Sequence, residues 1–245
     1  MRKILTTHEK TYKNKDLASL IHKSRLRSIC KVFKKYVPAS EITWADFGCS
    51  NGFIPEEIVR TNEFKFAEIV GHDHIEDSLA LAREKKIPNA RFKYFDLNKV
   101  TDAEERFGLV TCFETLEHVG DLENSFTNLF NHLRRNGVMI MAVPNETGFI
   151  GLIKFLGRFA VRRNPYPGFF VDQSRFKYMK SLLKNEPVDR FRKPNPLGHG
   201  PHLGFDYRTL EDHIKEKFIR NKQLELVEKS FTTLRMNVIY VFKKL

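Results

Sequence analysis

The sequence predicts an α/β fold with a doubly wound, mostly parallel sheet of seven strands, of the Rossmann-like type. Two observations carry this prediction. Between residues 42 and 146, apolar runs of strand length alternate with segments of helical periodicity. The first apolar run, WADF, is followed at once by the glycine turn GCSNG and by IPEEIVR, which begins like a helix. Strand, turn and helix in this order form the first unit of such a sheet.

The remaining elements follow in a regular order. After the first helix, AEIVGHD and HIEDSLALAREKK predict a second strand and helix. The third and fourth strands are ARFKYFDL and FGLVTCFE, a helix runs through DLENSFTNLFNHLRR and is closed by Asn136 and Gly137, and VMIMAVPN is the fifth strand. A final helix, FDYRTLEDHIKEKF, has Asp206 as its N-cap, and QLELVEKSF and RMNVIYVFKKL predict two last strands that pair antiparallel.

The chain is expected to form one domain with four parts that differ in charge. The acidic part contains the glycine turn. The excess of positive charge lies mainly in residues 1–36 and 148–204, which makes these two parts candidates for an anionic partner, with a solvated basic surface as the alternative. The parts are an N-terminal helical arm at residues 1–36 (net charge +9), with an amphipathic helix over 16–36; a cofactor-binding core at 37–147 (−8); a basic, aromatic lid inserted after the fifth strand at 148–204 (+8); and the final helix and two strands at 205–245 (+3).

Four predicted strands end in an acid: Asp46, Asp73, Asp96 and Glu114. The carboxyl ends of parallel strands share one edge of the sheet, so these carboxylates are expected at one rim, where such folds bind ligands. Asp73 follows Gly52 by 21 residues. This is close to the interval at which a carboxylate meets the ribose hydroxyls of an adenosine cofactor. Buried strand ends do not need charge, so the acids indicate a binding site.

The ordered set DFGCSNG, VGHD, FDL, FGLVTCFETLEHV and GVMIMAVPN resembles the class I S-adenosylmethionine-dependent methyltransferases, particularly those that act on small molecules and lipids. The resemblance covers residues 42–146 and implies S-adenosylmethionine as cofactor and S-adenosylhomocysteine as product. Ser50 departs from the pattern, which more often has glycine there. By this likeness Asp46, Gly48, Cys49, Ser50 and Gly52 form the cofactor turn with Asp46 near the methionine ammonium, Asp73 holds the ribose, Asp96 and Leu97 meet the adenine, and Glu114 lies beside the methionine portion.

A nicotinamide dinucleotide enzyme is the rival interpretation of a glycine turn followed by a ribose acid. A pyrophosphate needs a GxGxxG turn whose third glycine allows close helix packing, whereas this turn reads GCSNGFIP with Pro55 in the following helix. A sulfonium cofactor carries positive charge and no phosphate, so it tolerates acids such as Asp46 and Glu114 beside it. The sequence favours the methyltransferase.

The segment FETLEHV supplies the candidates for catalysis. Histidine ordinarily titrates near pH 6.5, so His118 suits the role of a base that accepts a hydroxyl proton, with Glu117 orienting it or acting as a second base. A capping role for His118 and a structural hydrogen bond of Glu117 are the alternatives. Quinone-type O-methyltransferases have a similar ExxEH cluster, so a divalent metal held by Glu114, Glu117 and His118 is a further alternative that is not favoured.

The acceptor is expected to present a hydroxyl oxygen. The motif of nucleic-acid amino methylases, Asn or Asp followed by Pro-Pro and an aromatic residue, is absent after the fourth strand, where CFETLEH stands. A lipid-linked, quinone-like or sugar-containing small molecule is therefore favoured. RNA methylation is the first alternative because of the two basic parts, and a non-catalytic membrane or nucleic-acid binding protein of the same fold is the second.

The lid suggests where the protein works. Lys154, Arg158 and Arg162 are spaced four apart among apolar residues, which predicts a basic stripe on an amphipathic helix that meets an anionic membrane surface or covers a greasy substrate. A helix packed on the sheet with its basic face in water is the alternative. His199 and His202 are candidates for substrate contact. With no apolar run long enough for a signal peptide or a membrane span, a cytoplasmic location with peripheral membrane contact is expected.

Overall fold

The computed structural model of the chain describes residues 17–38, 40–61, 63–161, 175–192 and 203–245. Four of the sequence predictions lie outside these residues: the structure of the first 16 residues of the arm, the position of Arg162 on the lid helix, and the roles of His199 and His202.

Seven helices and seven strands make up the described fold. The helices are α1 Leu17–Tyr36, α2 Phe53–Arg60, α3 Glu76–Glu84, α4 Leu122–His132, α5 Gly148–Val161, α6 Arg175–Leu183 and α7 Tyr207–Ile214, the last continued by a π-helical turn, Lys215–Ile219. The strands are β1 Ile42–Phe47, β2 Phe66–Asp73, β3 Ala90–Tyr94, β4 Phe107–Phe113, β5 Leu133–Pro144, β6 Leu224–Phe231 and β7 Asn237–Lys244.

The seven strands form one sheet in the order β3-β2-β1-β4-β5-β7-β6. The first five strands pair in parallel, whereas β7 runs antiparallel to both β5 and β6. The order reverses at β1, which lies between β2 and β4, and the carboxyl ends on either side of such a reversal leave a crevice. The structure therefore confirms the predicted α/β fold, the mostly parallel sheet and the antiparallel last pair.

Both faces of the sheet are covered because neighbouring residues on each strand point to opposite sides. On β1, Trp44 belongs to the core shared with α1, α2 and α3, whereas Ala45 and Phe47 belong to the core on the other face, shared with α4 and α7. Ile29 and Phe33, four residues apart on α1, are completely buried against the first face. The amphipathic pattern of the arm thus packs α1 directly beside the crevice.

The prediction for the end of α4 was wrong. The helix ends at His132 instead of continuing to Asn136 and Gly137, and Leu133 already belongs to β5. Lys244, at the far end of the chain, donates to the carbonyl oxygens of Phe130 and Leu133 at 2.8 Å each, which satisfies groups that a longer helix would have bonded internally. Asn136 does adopt a left-handed φ of 60°, but it does so inside β5.

The described part of the lid is a pair of antiparallel helices, α5 and α6. Gly151 of α5 packs so closely on Leu182 of α6 that a Cβ there would lie 2.8 Å from a methyl carbon, and the rings of Phe155 and Tyr178 lie 5.1 Å apart. This pair has its own small core of buried residues, which also includes Val188. Within the described residues, no helix is long and apolar enough to cross a bilayer.

The two described members of the predicted basic stripe lie on one face of α5, but this face turns towards the core and not outwards. Lys154 and Arg158 turn towards the buried carboxylate of Glu146, which accepts from Lys154 Nζ at 3.2 Å and from both terminal nitrogens of Arg158 at 2.7 Å. Because a buried carboxylate without a partner is costly, Glu146 keeps both cations close, and these contacts connect the lid to the core. They are not available to meet a membrane surface.

Candidate functional site

A cleft of about 400 Å³ lies at the carboxyl ends of β1, β2 and β4, beside α1. Its walls combine apolar side chains with a few polar ones, as ligand pockets commonly do. The residues that line it include Arg25, Ile29, Asp46, Gly48, Cys49, Ser50, Asp73, His74, Phe95, Leu97, Glu114 and His118. Most of the predicted site residues therefore come together in this cleft.

The glycine turn forms the floor between β1 and α2. Gly48 has a φ of 76°, and its amide donates to the carbonyl oxygen of His72 at 2.8 Å. A Cβ at Gly48 would lie 2.0 Å from the hydroxyl oxygen of Thr115, so no other residue fits this position. The turn is thus held tightly between β2 and the loop after β4, and its backbone is open to a ligand.

Asp73 ends β2 with its carboxylate turned towards the turn. Its Oδ2 accepts from the amide of Ser50 at 2.8 Å, and its Oδ1 accepts from the amide of Ile75 at 2.9 Å. Only 8% of the residue is exposed, and it lines the cleft. These two hydrogen bonds from backbone amides fix the carboxylate at the edge of the cleft. The sequence predicts that this carboxylate contacts a ribose.

Asp46 is buried at the end of β1, one strand from Asp73. Its Oδ1 accepts a hydrogen bond of 2.6 Å from the Thr111 hydroxyl, which in turn accepts from Trp44 Nε1 at 2.8 Å. Burial raises the pKa of Asp46 to about 7, and the negative charge of Asp73 adds to the rise. The cleft thus holds a carboxyl that is poised to ionise when a cation arrives.

Glu114 follows β4 in a strained conformation, with a φ of 52°. Its Oε2 accepts from Arg25 of α1 at 2.7 Å, and its Oε1 accepts from Asn237 Nδ2 of β7 at 2.5 Å. The sequence reasoning missed both partners. Arg25 had a usable signal, because it lies four residues before Ile29 on the apolar face of α1, where a cation needs a partner. For Asn237 the sequence carries no comparable signal.

Three predicted site residues do not line the cleft, namely Gly52, Asp96 and Glu117. At Gly52, with a φ of 70°, a Cβ would lie 3.2 Å from Ala82 and Phe92, so this glycine serves the packing of α2 on its neighbours. The Asp96 carboxylate accepts from the backbone and side-chain amides of Asn98, at 3.0 and 3.1 Å. Only Leu97 of the predicted adenine pair lines the cleft.

His118 and Glu117 follow Glu114 at the rim of the cleft. His118 lines it with 43% of its side chain exposed, whereas the Glu117 carboxylate is buried behind it. His118 Nε2 and Glu117 Oε1 are 3.9 Å apart, which is longer than a hydrogen bond. Burial raises the pKa of Glu117 well above its ordinary range, and the nearby negative charge of Glu114 contributes. Burial therefore favours the neutral form of the Glu117 carboxyl.

Arg192 supports this rim from the lid side, and the sequence reasoning missed it. One of its terminal nitrogens donates to the carbonyl oxygens of Glu117 at 2.6 Å and Val119 at 3.0 Å. Its guanidinium also lies over the ring of Phe205. Burial lowers the pKa of Arg192, with the charge of Glu117 opposing that effect. The residue ties the segment that carries His118 to the region after the lid helices.

The sequence leaves a divalent metal site at Glu114, Glu117 and His118 as an alternative. Among the residues that the structure describes, no three His, Cys, Asp or Glu side chains are grouped so that they could hold a metal ion. Here the Glu114 carboxylate is engaged by Arg25 and Asn237, and that of Glu117 is buried away from the cleft.

A family model described as a methyltransferase domain matches residues 20–200, about three quarters of the chain. Among curated proteins, the chain is 26% identical over 117 residues to a malonyl-[acyl-carrier protein] O-methyltransferase of Bacillus anthracis, which covers 47% of this chain and 42% of that protein. It is 29% identical over 178 residues to a ubiquinone biosynthesis O-methyltransferase of Rhizobium rhizogenes, covering 71% and 67% respectively. The chain spans about half the length of the first curated relatives that it matches.

Solved structures share the fold over nearly the whole chain. Magnesium protoporphyrin IX methyltransferase from Synechocystis, solved with bound S-adenosylhomocysteine, has a TM-score of 0.59 at 14% identity, and the match covers 97% of this chain and 93% of that one. An S-adenosylmethionine-dependent methyltransferase from Clostridium acetobutylicum has a TM-score of 0.60 at 15% identity, with 97% of both chains covered. At these identities the likeness concerns the fold.

Proposed function

Because the chain belongs to the class I S-adenosylmethionine-dependent methyltransferases, we propose that it transfers a methyl group to a hydroxyl oxygen of a lipid-linked, quinone-like or sugar-containing small molecule. The observation that carries the proposal is the cleft, which brings Asp46, Asp73, Glu114 and His118 together at one edge of the sheet. These residues supply both the groups for a cationic cofactor and a base for the acceptor.

The cleft suits S-adenosylmethionine in shape and charge. The Asp73 carboxylate can accept hydrogen bonds from the ribose hydroxyls, and Leu97 and Phe95 offer apolar surface for the adenine. Asp46 and Glu114 offer carboxylates to the methionine ammonium, and Arg25 offers a guanidinium to the methionine carboxylate. Because Gly48 has no side chain, Thr115 packs directly against the turn and helps to hold it at the cleft. This donor set complements a ligand that carries both signs of charge.

When bound, the cofactor supplies a methyl carbon on a sulfonium, which an oxygen attacks in line. The protein's own contribution is to align the acceptor and to take its proton. His118 is the side chain at the rim that suits this role, since its imidazole lines the cleft and is partly open to solvent. Glu117 Oε1 lies 3.9 Å from His118 Nε2, which is close enough for a carboxylate to stabilise the imidazole once the ring becomes charged.

The acceptor class is supported by two independent points. Several curated relatives are by name O-methyltransferases, of malonyl-[acyl-carrier protein] or in ubiquinone biosynthesis. The cleft beyond the charged residues is lined by apolar side chains that suit a ring or chain rather than a phosphate: Ile29, Phe53, Ile54, Phe113 and Val119. The RNA alternative rests on the two basic parts, of which residues 1–16, 162–174 and 193–202 lie outside the described residues.

The proposal is tested by incubating the protein with methyl-labelled S-adenosylmethionine and matched pairs of acceptors, a catechol-type quinol and its fully methoxylated analogue. Label should enter only the compound with a free hydroxyl. His118→Ala should lower turnover by about a hundredfold or more and leave cofactor affinity within about threefold, because the base acts only on the acceptor. Label transfer to RNA alone, or full turnover by His118→Ala, would refute the assigned chemistry.

We also propose an anionic membrane surface as the place where a lipid-linked acceptor is met, through a different face of the lid from the one predicted. Phe149, Ile153 and Leu156 form an exposed stripe on α5, and Phe176 of α6 is 74% exposed. Neither helix contains an acidic residue, and Lys180, four residues after Phe176 on α6, is also exposed. Exposed aromatic and aliphatic side chains with lysines suit the interface of an anionic bilayer.

Vesicle flotation tests the membrane contact. The wild-type protein should float with vesicles that contain phosphatidylglycerol more than with pure phosphatidylcholine. A Phe149→Ser, Phe176→Ser double variant should remain at the bottom of the gradient, whereas Val100→Ser, which removes another exposed apolar side chain outside the lid, should float like the wild type. Equal flotation of all three proteins would show that these lid residues do not contact the membrane.

A further inference from the structure

Asn237 begins β7, and its side chain reaches a carboxylate of the cofactor cleft from two strands away. Its Nδ2 donates to Glu114 Oε1 at 2.5 Å, although β5 lies between β7 and β4 in the sheet. Asn237 is buried and is not one of the described residues that line the cleft. It can therefore influence a ligand there only through Glu114.

Glu114 needs external support to keep its conformation. A non-glycine residue with a φ of 52° is strained and persists only where its surroundings hold it. Its amide donates to the carbonyl oxygen of Ala142 at 2.8 Å, and its two carboxylate oxygens are held separately by Arg25 and Asn237. Since Arg25 comes from α1 and Asn237 from β7, the carboxylate is fixed between two elements at opposite ends of the chain.

The backbone before Asn237 is itself held firmly in place. The side-chain amide of Asn145 donates to the carbonyl oxygen of Arg235 at 3.0 Å. The carbonyl oxygen of Met236 accepts from the backbone N–H of Asn145 and from Lys154 Nζ, at 2.8 Å each. The Asn237 amide donates to the Thr232 hydroxyl at 3.0 Å. These hydrogen bonds hold the backbone from which the Asn237 side chain extends, so they fix the point from which it reaches Glu114.

We propose that Asn237 is a positioning residue for Glu114, which it holds in the orientation that binds the methionine ammonium of the cofactor. A neutral amide serves this purpose because it donates one hydrogen bond and adds no second positive charge beside Glu114, which already pairs with Arg25. This inference rests on the proposed function, because it assumes that Glu114 meets the cofactor.

The test compares S-adenosylhomocysteine binding by calorimetry in wild type, Asn237→Ala, Asn237→Asp and Thr232→Val, at pH 8 and pH 5.5. Asn237→Ala should weaken binding about tenfold relative to wild type at both pH values, since a hydrogen bond to a charged group is lost. Asn237→Asp should weaken binding at least as much at pH 8, where two carboxylates face each other. At pH 5.5 it should return to within about threefold of wild type, because a shared proton restores a donor.

Thr232→Val is the structural control, because it removes the hydroxyl that accepts from the Asn237 backbone and leaves the side-chain amide in place. Its ratio to wild type should be the same at both pH values. If wild type binds and the Asn237→Asp ratio is likewise independent of pH, Asn237 has only a structural role and the inference is wrong. If folded wild type itself fails to bind, the proposed function fails, and this inference fails with it.

Discussion

At the scale of single residues, Asp46 shows how the cleft is prepared for a cation. The carboxyl is buried at the end of β1 with one hydrogen bond, from Thr111, and its pKa is raised to about 7. In the unfolded chain an aspartate titrates near its ordinary value, about 3.9. Ionisation of Asp46 therefore opposes folding, and the stability that the neutral form provides is lost as the pH rises from about 4 to about 7.

An Asp46→Asn variant should be more stable than the wild type at high pH. The amide keeps an acceptor for Thr111 and removes the ionisation, so the gain in free energy of unfolding should be about 2–4 kcal/mol at pH 8 and should become small near pH 4.5. Urea denaturation at the two pH values measures it. Asp102→Asn, at an exposed position, is the control. An equal effect of Asp46→Asn at both pH values would contradict the raised pKa.

Cofactor binding should depend on the same ionisation. A methionine ammonium beside Asp46 favours the charged carboxylate, so binding at pH 7 should release part of a proton to the buffer. Affinity for S-adenosylhomocysteine should then rise between pH 6 and pH 8. Calorimetry in two buffers of different ionisation enthalpy measures the proton release directly, and identical heats in both would show that Asp46 does not change its charge on binding.

The sequence was most informative for residues whose role follows from their position on a strand. Asp46, Asp73 and Glu114 all reach the cleft because parallel strands end at one edge. Asp96 was less accurately predicted, since its carboxylate bonds locally to Asn98, which is a common alternative for an aspartate in a turn. Asn237 and Arg192 could not be predicted, because their partners are distant in the chain and are brought near only by the folded lid and last strands.

At the scale of secondary-structure elements, the lid is attached to the core by a buried ionic group. Glu146, between β5 and α5, accepts from Lys154 and Arg158, and Lys154 also donates to the carbonyl oxygen of Met236. The helical spacing correctly places both cations on one face of α5. Spacing cannot tell whether that face meets water, a membrane or an acid, and here Glu146 decides the orientation.

Removal of this acid should loosen the lid. Glu146→Ala leaves two largely buried cations without their carboxylate, and breaking such a group typically lowers the free energy of unfolding by about 3 kcal/mol or more. Glu57→Ala, in the exposed pair with Arg60, should change it by less than about 1 kcal/mol. Urea denaturation of both variants tests the contrast, and equal losses would mean that the ionic group does not hold the lid.

The junction of α4 and β5 illustrates the limit of local patterns. Asn136 and Gly137 have the composition of a helix end, yet the helix stops at His132. Lys244, which caps the last carbonyl oxygens, lies 112 residues further along the chain, so no local signal could announce it. Elements bounded by their own glycines and acids were predicted well, whereas this boundary depends on the assembled sheet.

At the scale of the whole molecule, the chain combines an acidic core with basic parts on either side in sequence. The core supplies the cleft and its carboxylates, α1 supplies Arg25, and the last strands supply Asn237. The cleft is therefore completed by residues of the first described helix and of the last strand. The mostly parallel sheet could be predicted from its alternating strands and helices. The contacts of Arg25 and Asn237 with Glu114 could not, because they form only in the folded chain.

The most direct test of the account is calorimetric titration of the purified protein with S-adenosylmethionine and S-adenosylhomocysteine. The cleft predicts one site for each, with affinity in the micromolar range. Asp73→Asn should weaken binding about tenfold or more, and Asp77→Asn, at an exposed position on α3, should bind like the wild type. A folded wild-type protein that binds neither compound would contradict the assignment of the cleft as a cofactor site.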